Sequence, residues 1–346
     1  MHSRILGVCA FLVLLVTIAW PNVIGGRAEY VPGPDVPPII DPIDGTLAAT
    51  SVQPAPTQSG VQFFPISVTP DWFLTDRVVP LHEGLRNGTI EIREGDRMDQ
   101  YRLYMRSSGD APVFGQAGDF FGGGRQDRFS RSDFLAPGNS AWLPLDVFCA
   151  EFGRNTGPTD QFGWGGLGSP QVRGRVLSGA QEGVWDEIRQ MRSDMPGALA
   201  GTTSYGAIAR SDKIQAEADA LAGRYAGHVA PRNAVGVACT LNGRVLGLDM
   251  YGSPELFASQ WPLLVQSYLV EASRIGVRDE DRATVEDVRL AIEQTRRTAR
   301  RPVPSIGLGE TWALDGRGSA TGMALTYHGR LVHLAMLSTA PPRHFR

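Results

Sequence analysis

Lysine is nearly absent from this 346-residue chain: of its 33 basic residues, Lys213 is the one lysine and the rest are arginines. The 33 basic and 36 acidic residues give a formal net charge of −3. A strong, sequence-independent hold on nucleic acid needs a basic face that releases counterions. The charge balance excludes such a hold, so we expect no nucleic-acid partner.

Cysteine is also scarce, occurring only as Cys9, Cys149 and Cys239. In an oxidising compartment Cys149 and Cys239 could form a disulfide. Both lie in apolar runs that are typical of strands, where a buried, unpaired thiol is the commoner state. The sequence leaves both alternatives open.

The common signatures of catalytic chemistry are missing. The chain has no G-x-x-x-x-G-K-[ST], no H-E-x-x-H, no C-x-x-C and no G-x-S-x-G, the patterns of nucleotide triphosphate, zinc and serine hydrolase chemistry. Its six histidines are dispersed along the sequence. We therefore expect no metal site and no cofactor, and the sequence leaves open whether the chain is an enzyme.

The first 26 residues carry an export pattern. Residues 1–4 are a short basic start, and residues 5–20 are an uncharged apolar run of 16 residues followed by Pro21. This order is typical of a secretory signal, and the run is slightly short for a helix that spans a bilayer. We expect an extracytoplasmic protein, either secreted or anchored to the membrane through residues 5–24.

Residues 27–70 contain nine prolines. Proline fixes φ and lacks a backbone donor, so neither a helix nor a central strand is expected there. We interpret this segment as an extended linker between a signal or anchor over residues 1–26 and the folded body. Residues 71–340 are expected to form one compound domain.

Strand patterns come first in the body. From residue 89 to about residue 179 apolar and polar residues mostly alternate, as they do in half-buried strands. Asn242-Gly243 lies between two further alternating runs and predicts a hairpin. A last hairpin is predicted over residues 323–337, with its turn near His328-Gly329.

Apolar residues at helical spacing come next in the sequence. They predict helices over about residues 178–195, 211–225 and 283–300, and another that starts at the Ser253-Pro254 cap. Antiparallel hairpins mixed with helices in this order favour an α+β fold. We therefore predict an antiparallel β-rich core with hairpins and about four helices.

The most unusual segment is GQAGDFFGGGRQDRFSR, residues 115–131. Its three consecutive glycines allow backbone N–H groups to approach a ligand, and Arg125, Arg128 and Arg131 supply donors for an anion. One interpretation is an oxyanion or phosphate cradle. The other is a turn between strands whose arginines are solvated or paired with nearby acids, namely Asp119, Asp127 and Asp133.

Four further side chains have both a functional and a structural interpretation: Glu151, Gln181, Trp185 and His333. Glu151 ends a strand and is either a buried carboxylate that faces the arginines or a solvated acid. Gln181 and Trp185 share one helix face at i and i+4, either as a ligand floor or as part of the core. His333 lies in a predicted strand, where a structural histidine is commoner than a base.

These residues belong to segments that resemble the ARG and rhodanese-phosphatase-superfamily-associated protein domain family, over roughly residues 70–338. The matching runs are GDFFGGGRQDRF, DVFCAE, SGAQEGVWDEI, VGVACTLNGRVLGLDMYGSPELFASQWPLLVQSYLVEA and LVHLAML. The specificity of the resemblance lies in the order of several weak motifs.

The resemblance assigns individual positions. The family's Gly-Glu falls on Gly118-Asp119, its Lys-Gln-Asn-Arg-like core on residues 125–128 and its Cys-x-Glu on Cys149-Ala150-Glu151. The remaining positions are filled by Gln181 and Trp185, by Asp249 and Tyr251, and by His333. The chain has Asp, Arg and Asp where the family has Glu, Lys and Asn. These differences weaken the case for a catalytic role that requires a carboxylate side chain of a particular length.

Two hypotheses of function follow. The first is an exported ligand-binding or structural module for an unknown small-molecule or protein ligand, with these binding residues: Arg125, Gln126, Arg128, Gln181 and Trp185. The second is a hydrolase-like enzyme that acts on a phosphate- or nucleotide-linked substrate, a chemistry implied by the ADP-ribosylglycohydrolases and rhodanese-phosphatases in the family's name. Its catalytic candidates are Asp119, Glu151 and His333, with the Gly/Arg loop holding an anion.

Overall fold

Two β-structures make up most of the fold, an eight-stranded antiparallel sheet and a closed six-stranded barrel, and a three-stranded sheet accompanies them. The structure is a computed structural model. It describes residues 41–56, 59–95, 99–153, 157, 160–195, 203–212, 214–216, 220 and 233–339. All of these residues belong to one unit.

In chain order the strands are β1 (Ser51–Val52), β2 (Val61–Ser67), β3 (Val79–Pro80), β4 (Ile90–Glu94), β5 (Arg102–Ser107), β6 (Val113–Gly115), β7 (Asp119–Gly123), β8 (Arg128–Ser130), β9 (Phe134–Ala136), β10 (Leu143–Cys149), β11 (Gln161–Leu167), β12 (Ala234–Leu241), β13 (Arg244–Tyr251), β14 (Ala299–Val303), β15 (Glu310–Asp315), β16 (Ala320–Tyr327) and β17 (Arg330–Ser338). The α-helices are α1 (Pro42–Ala48), α2 (Leu81–Asn87), α3 (Pro170–Leu177), α4 (Gln181–Asp194), α5 (Tyr205–Ala209), α6 (Pro254–Ile275) and α7 (Val285–Arg296), and a 3-10 turn spans Pro70–Trp72.

The large sheet has the strand order β1-β2-β12-β13-β17-β16-β15-β14. Two hairpins that the sequence predicts lie at its centre. Asn242 and Gly243 have positive φ (49° and 74°), as a two-residue turn between β12 and β13 requires. His328 and Gly329 repeat this geometry between β16 and β17. Both hairpin predictions are confirmed.

Local sequence also sets the helix starts. Ser253 caps α6 by accepting a hydrogen bond from the N–H of Leu256 at 3.2 Å. Thr284 and Asp287 form a capping box at the start of α7. Three of the predicted helices are confirmed as α4, α6 and α7, and most of the fourth, over residues 211–225, lies outside the described residues.

Helices cover both faces of the large sheet. α6 packs on one face, where Phe63 and Leu264 belong to one buried cluster. α1 and α7 pack on the other face, where Phe64 and Val288 belong to a second cluster. Successive residues of β2 therefore point to opposite faces, and both faces are buried. α6 also contacts β11 of the barrel, which buries it from two directions.

The barrel has the strand order β10-β5-β4-β11-β7-β8. It closes because the first half of β10 pairs with β5 and the second half pairs with β8. Ile92, Met105 and Phe121 belong to the buried cluster that its strands share with α2. Phe120 and Phe129 belong instead to a cluster with α3, α4 and α5.

The predicted fold class, α+β with about four helices, is wrong. The described residues form seventeen strands and eight helices, counting the 3-10 turn, and six of the strands close into a barrel. Barrel closure pairs strands that are distant in the sequence, whereas periodicity reports only local alternation. The short helices α1, α2, α3 and α5 have five to eight residues, too few for a clear helical period.

The described unit also includes residues before position 71. α1 and β2 lie within the segment 27–70 that we interpret as a linker, and β2 pairs with β1 and β12. Pro42 occupies the first turn of α1, where no N–H is needed, and Pro65 lies near a register shift in the pairing with β12. Residues 1–40, with the predicted signal or anchor, lie outside the described residues.

Cys149 and Cys239 are both buried and both free thiols. Burial raises the pKa of each thiol, which keeps both in the unreactive protonated form. Among the helices of the described residues, none combines the length and the apolar composition that crossing a membrane requires.

Candidate functional site

Charged side chains meet in the core where α3 contacts the large sheet. His333 of β17 is 0% exposed, and its Nδ1 lies 2.7 Å from Oδ2 of Asp133. Its Nε2 lies 3.6 Å from Oδ1 of Asp249, too far for a hydrogen bond. The rings of Phe114 and Tyr251 pack against the imidazole, with centroids 5.3 and 4.7 Å away. A buried ion pair thus lies between aromatic rings.

Asp249 of β13 pairs with a second cationic side chain of the cluster. Arg173 of α3 donates to both of its carboxylate oxygens, at 2.5 and 3.2 Å. Tyr268 of α6 donates its hydroxyl to Oδ2 at 2.7 Å. All three side chains are buried. One carboxylate therefore joins a central strand of the large sheet to two helices.

Backbone groups hold the remaining carboxylates. Oδ2 of Asp119 accepts a hydrogen bond from the N–H of Gln116, and Oδ1 of Asp133 accepts one from the N–H of Ala117, both at 2.9 Å. The hydroxyl of Tyr251 donates to Oε1 of Gln116 at 2.8 Å. We call the whole group the buried polar cluster: Gln116, Asp119, Asp133, Arg173, Asp249, Tyr251, Tyr268 and His333.

Pairing and burial shift the pKa values in opposite directions. Burial acts to lower the pKa of His333, but the carboxylates of Asp133 and Asp249 outweigh it and raise that pKa to about 9. Burial raises the pKa of Asp119 to about 8 although a backbone N–H acts against it. Burial acts to raise the pKa of Asp249, but Arg173 and His333 outweigh it and hold that pKa well below its usual range.

The buried polar cluster is consequently a closed and charge-compensated network. Its imidazole and guanidinium face the side chains of Asp133 and Asp249, and the raised pKa of Asp119 favours the protonated form of that carboxyl at neutral pH. Each of its charged residues is at most 2% exposed. Perturbed pKa values mark functional sites, but buried charges with partners of opposite sign are also typical of a structural network.

The loop between β7 and β8 carries the predicted anion cradle. The buried Arg128 folds back onto this loop, where its Nη1 donates to the carbonyl oxygen of Gln126 at 2.9 Å and to Oε1 of the same residue at 3.2 Å. Nε of Arg125 lies 3.4 Å from Oε2 of Glu94. These contacts favour the interpretation as a turn with paired arginines, and the partner of Arg125 comes from β4.

Gln181 is bound to the end of β10. Its Oε1 accepts a hydrogen bond from the N–H of Cys149 at 2.7 Å, and its Nε2 donates to the carbonyl oxygen of the same residue at 3.0 Å. Both ends of the amide are used, so Gln181 fixes the start of α4 against the barrel. One turn along α4, Trp185 packs against the ring of Phe152, with centroids 5.3 Å apart.

Asp127 ties the same loop to its neighbours. Its Oδ2 accepts a hydrogen bond from the hydroxyl of Ser204 at 2.7 Å, and its carbonyl oxygen accepts one from the N–H of Ala150 at 2.8 Å. The next residue, Glu151, forms a β-bridge with Ser204 and is buried. The loop, the end of β10 and the start of α5 therefore form one connected end of the barrel.

The sequence-predicted site residues fall in two places. Asp119 and His333 belong to the buried polar cluster. The others lie at the connected end of the barrel: Arg125, Gln126, Arg128, Glu151, Gln181 and Trp185. Together with Phe152, which the sequence did not single out, we call these residues the barrel rim. The three catalytic candidates are therefore divided, since Glu151 lies at the barrel rim.

Sequence reasoning missed two central members of the buried polar cluster. Arg173 lies in the eight-residue helix α3, outside any motif, and Tyr268 lies in α6 among apolar residues whose spacing predicts only a helix. Asp133 is noted there only as a partner for nearby arginines. No spacing signal links these residues, because their elements are distant in the chain.

The family pattern of the ARG and Rhodanese-Phosphatase-superfamily-associated Protein domain, ARPP-1, matches residues 50–337. The chain belongs to this family. The expected resemblance is thereby confirmed. The match of the ARPP-1 domain starts before residue 70, in agreement with the place of β1 and β2 in the large sheet.

No curated protein matches the chain. Among solved structures, two inactive mutants of the CurK dehydratase are 10% identical to it, with TM-scores of 0.13 and 0.14, over 85% of this chain and 96% of the other. The dehydratase domain from the CurK module of the curacin polyketide synthase has the same identity and coverage and a TM-score of 0.13. Scores this low carry no argument about the fold or function of the ARPP-1 domain.

Proposed function

We propose that this ARPP-1 domain is an exported ligand-binding module whose ligand contacts the barrel rim. The observation that carries the proposal is the ring of Phe152, which is 55% exposed and packs edge-on against Trp185. Aromatic rings offer a large contact area to a planar or sugar ring of a ligand and lose little conformational freedom on binding. The buried Glu151 beside them would orient a polar group of that ligand.

The polar residues behind this aromatic pair act as positioning residues. Arg128 and Gln181 bond to the loop and to β10, and Asp127 bonds to Ser204. A binding surface held by such internal bonds has little freedom to lose when a ligand binds. The arrangement therefore suits binding better than it suits chemistry by these side chains.

The proposed exported location depends on the apolar run of residues 5–20. A fusion of residues 1–70 to a reporter enzyme that is active only outside the cytoplasm would test it. We expect an active reporter, and we expect Leu14→Arg, which places a charge in the run, to abolish its activity. Equal reporter activity from both fusions would contradict export through this segment.

Binding can be tested with three probes that the family's name suggests, namely ADP-ribose, adenosine monophosphate and inorganic phosphate. We expect at least one to raise the thermal unfolding midpoint of the full chain and to change its tryptophan fluorescence. Phe152→Ala and Trp185→Ala should remove both effects. Leu290→Ala, at a site on α7 that is 56% exposed, is the matched control and should keep them. An unchanged response in Phe152→Ala would contradict the barrel rim as the site.

A hydrolase-like enzyme acting on a phosphate- or nucleotide-linked substrate is the second candidate. The raised pKa of Asp119 favours it, because a protonated carboxyl can act as a general acid. Two observations favour the binding module. Asp119 and His333 are buried, and they lie in a different place from Arg128 and Glu151 at the barrel rim. Hydrolysis of ADP-ribose by the wild-type chain, lost in a folded Asp119→Asn variant, would instead support the enzyme.

A further inference from the structure

A groove lies on the face of the large sheet that α1 and α7 cover. α7 covers this face only as far as its last turn, and beyond it the groove has a volume of about 610 Å³. Small-molecule sites typically have volumes of about 300–1,000 Å³. The walls are the start of β13, the end of β17, the turn between β15 and β16, and residues 291–298.

The floor of the groove is apolar. Leu248 of β13 lies opposite Met336 of β17 in the strand register, and both line the groove. Ala291 of α7 and Ala320 of β16 line its sides, and their small side chains leave the space open. The groove can therefore bury the apolar part of a ligand.

The charges around the groove are mostly positive. Among the residues that the structure describes, Arg244, Arg297 and Arg317 line it, and Asp315 is the one acid that does. Arg297 is bonded to Glu293 at 2.8 Å. Within the described part of the chain, the guanidinium groups of Arg244 and Arg317 form no ion pair. Two of the three cations are thus available to an anion.

Strand pairing places Arg244 and Arg317 at the same end of the groove. β17 pairs with β13 and with β16 and is antiparallel to both. The start of β13 and the turn before β16 therefore flank the end of β17. The N–H of Arg317 donates to Oδ1 of Asp315 at 2.9 Å, which holds this turn.

The C-terminal end of α7 also lies at the groove, and free carbonyl groups there would repel an anion. These carbonyl groups have donors within the chain. The carbonyl oxygens of Glu293 and Thr295 accept hydrogen bonds from the N–H groups of Arg297 and Thr298, respectively. Those of Gln294 and Arg296 accept hydrogen bonds from the hydroxyl of Thr298 and from Nη2 of Arg300. The capped helix end therefore offsets little of the positive charge.

We infer that this groove is a second binding site, which takes a small amphipathic anion: an apolar body that carries a carboxylate or a phosphate ester. The apolar body lies on Leu248 and Met336, and the acidic group lies between Arg244 and Arg317. The planar guanidinium suits both acidic groups, because it presents two donors to two oxygens. The inference stands apart from the barrel rim and does not depend on the proposed function.

Isothermal titration calorimetry of the full chain with octyl phosphate and octanoate tests this site. We expect at least one of them to bind and the charge-reversed octylammonium not to bind. The double variant R244Q/R317Q should weaken binding by at least about tenfold, the effect of losing charge-assisted hydrogen bonds. Added salt should also weaken binding, since the arginines are exposed to solvent.

Two controls separate the groove from other surfaces. Arg301→Gln removes an exposed arginine of β14 outside the groove and should leave binding unchanged, as should Phe152→Ala at the barrel rim. Ala291→Trp fills the groove and should abolish binding while circular dichroism shows a folded chain. If Ala291→Trp unfolds the chain, the affinity measured for R244Q/R317Q tests the site instead. The inference is overturned by equal affinity for octylammonium, by unchanged affinity in R244Q/R317Q, or by no binding of either anion at millimolar concentration.

Discussion

Nδ1 of His333 lies 2.7 Å from Oδ2 of Asp133, although the two residues are 200 positions apart in the chain. His333 lies in β17 of the large sheet, and Asp133 directly precedes β9 of the three-stranded sheet. Both side chains are 0% exposed. The pair therefore joins two β-structures through a buried charge contact, and we expect the loss of one partner to destabilise the fold.

Asp133→Asn should lower the free energy of unfolding by about 3–5 kcal/mol, because it removes one partner of a buried ion pair. Glu91→Gln breaks the exposed pair with Arg106 and should cost less than about 1 kcal/mol. Urea unfolding followed by circular dichroism measures both. Similar losses in the two variants would contradict the central role of His333 and Asp133.

Stability should fall as the pH rises from about 6.5 to about 9. The folded-state pKa of His333, about 9, lies above the ordinary 6.5, so its contribution is complete below pH 6.5 and is lost as pH rises through 9. Asp119, with a pKa of about 8 instead of 3.8, acts in the same direction between pH 3.8 and 8. Urea unfolding at a series of pH values measures this trend.

Asp119→Asn provides the control for this pH dependence. Its amide resembles the protonated carboxyl and does not titrate, so the decline in stability below pH 8 should become shallower. The decline that belongs to His333 should remain. A wild-type stability that rises steadily from pH 6.5 to 9 would contradict the charge assignment of the buried polar cluster.

Gln181→Met should cost about 1–3 kcal/mol of stability, because it leaves the buried N–H and carbonyl groups of Cys149 without their side-chain partner. It should also speed hydrogen exchange at the Cys149 amide. Gln190→Met, at an exposed site of the same helix, is the matched control and should change stability by less than about 0.5 kcal/mol. Equal melting temperatures for the two variants would contradict the role of Gln181.

Gly123→Ala should destabilise the barrel by about 1–3 kcal/mol. Gly123 has a φ of +135°, and a Cβ there would lie 2.5 Å from the carbonyl oxygen of Gln161. Gly163→Ala is the control, because the structure shows no atom within 4 Å of an added Cβ and no positive φ at that position. Thermal unfolding of both variants tests the prediction, which fails if Gly163→Ala is the more destabilising change.

The parts of the fold that the sequence predicted are those that depend on few residues. The Asn242-Gly243 turn and the Ser253 cap each follow from local backbone chemistry. The fold class did not follow in this way, since barrel closure requires β10 to pair with two strands at once. At the candidate site the resemblance pointed to Asp119 and His333, but nothing local pointed to Arg173.

The sequence by itself determined the near-neutral charge, the hairpin turns, the helix starts and the order of motifs that marks the family. Only the tertiary structure decided that Asp133 and Asp249 meet His333, and that Arg128 bonds back to its own loop while Arg125 lies against Glu94 of β4. The physical reason is the separation along the chain over which each interaction acts. Turn, cap and periodicity signals arise within a few residues, whereas burial and charge pairing arise between residues that only the packed chain brings together.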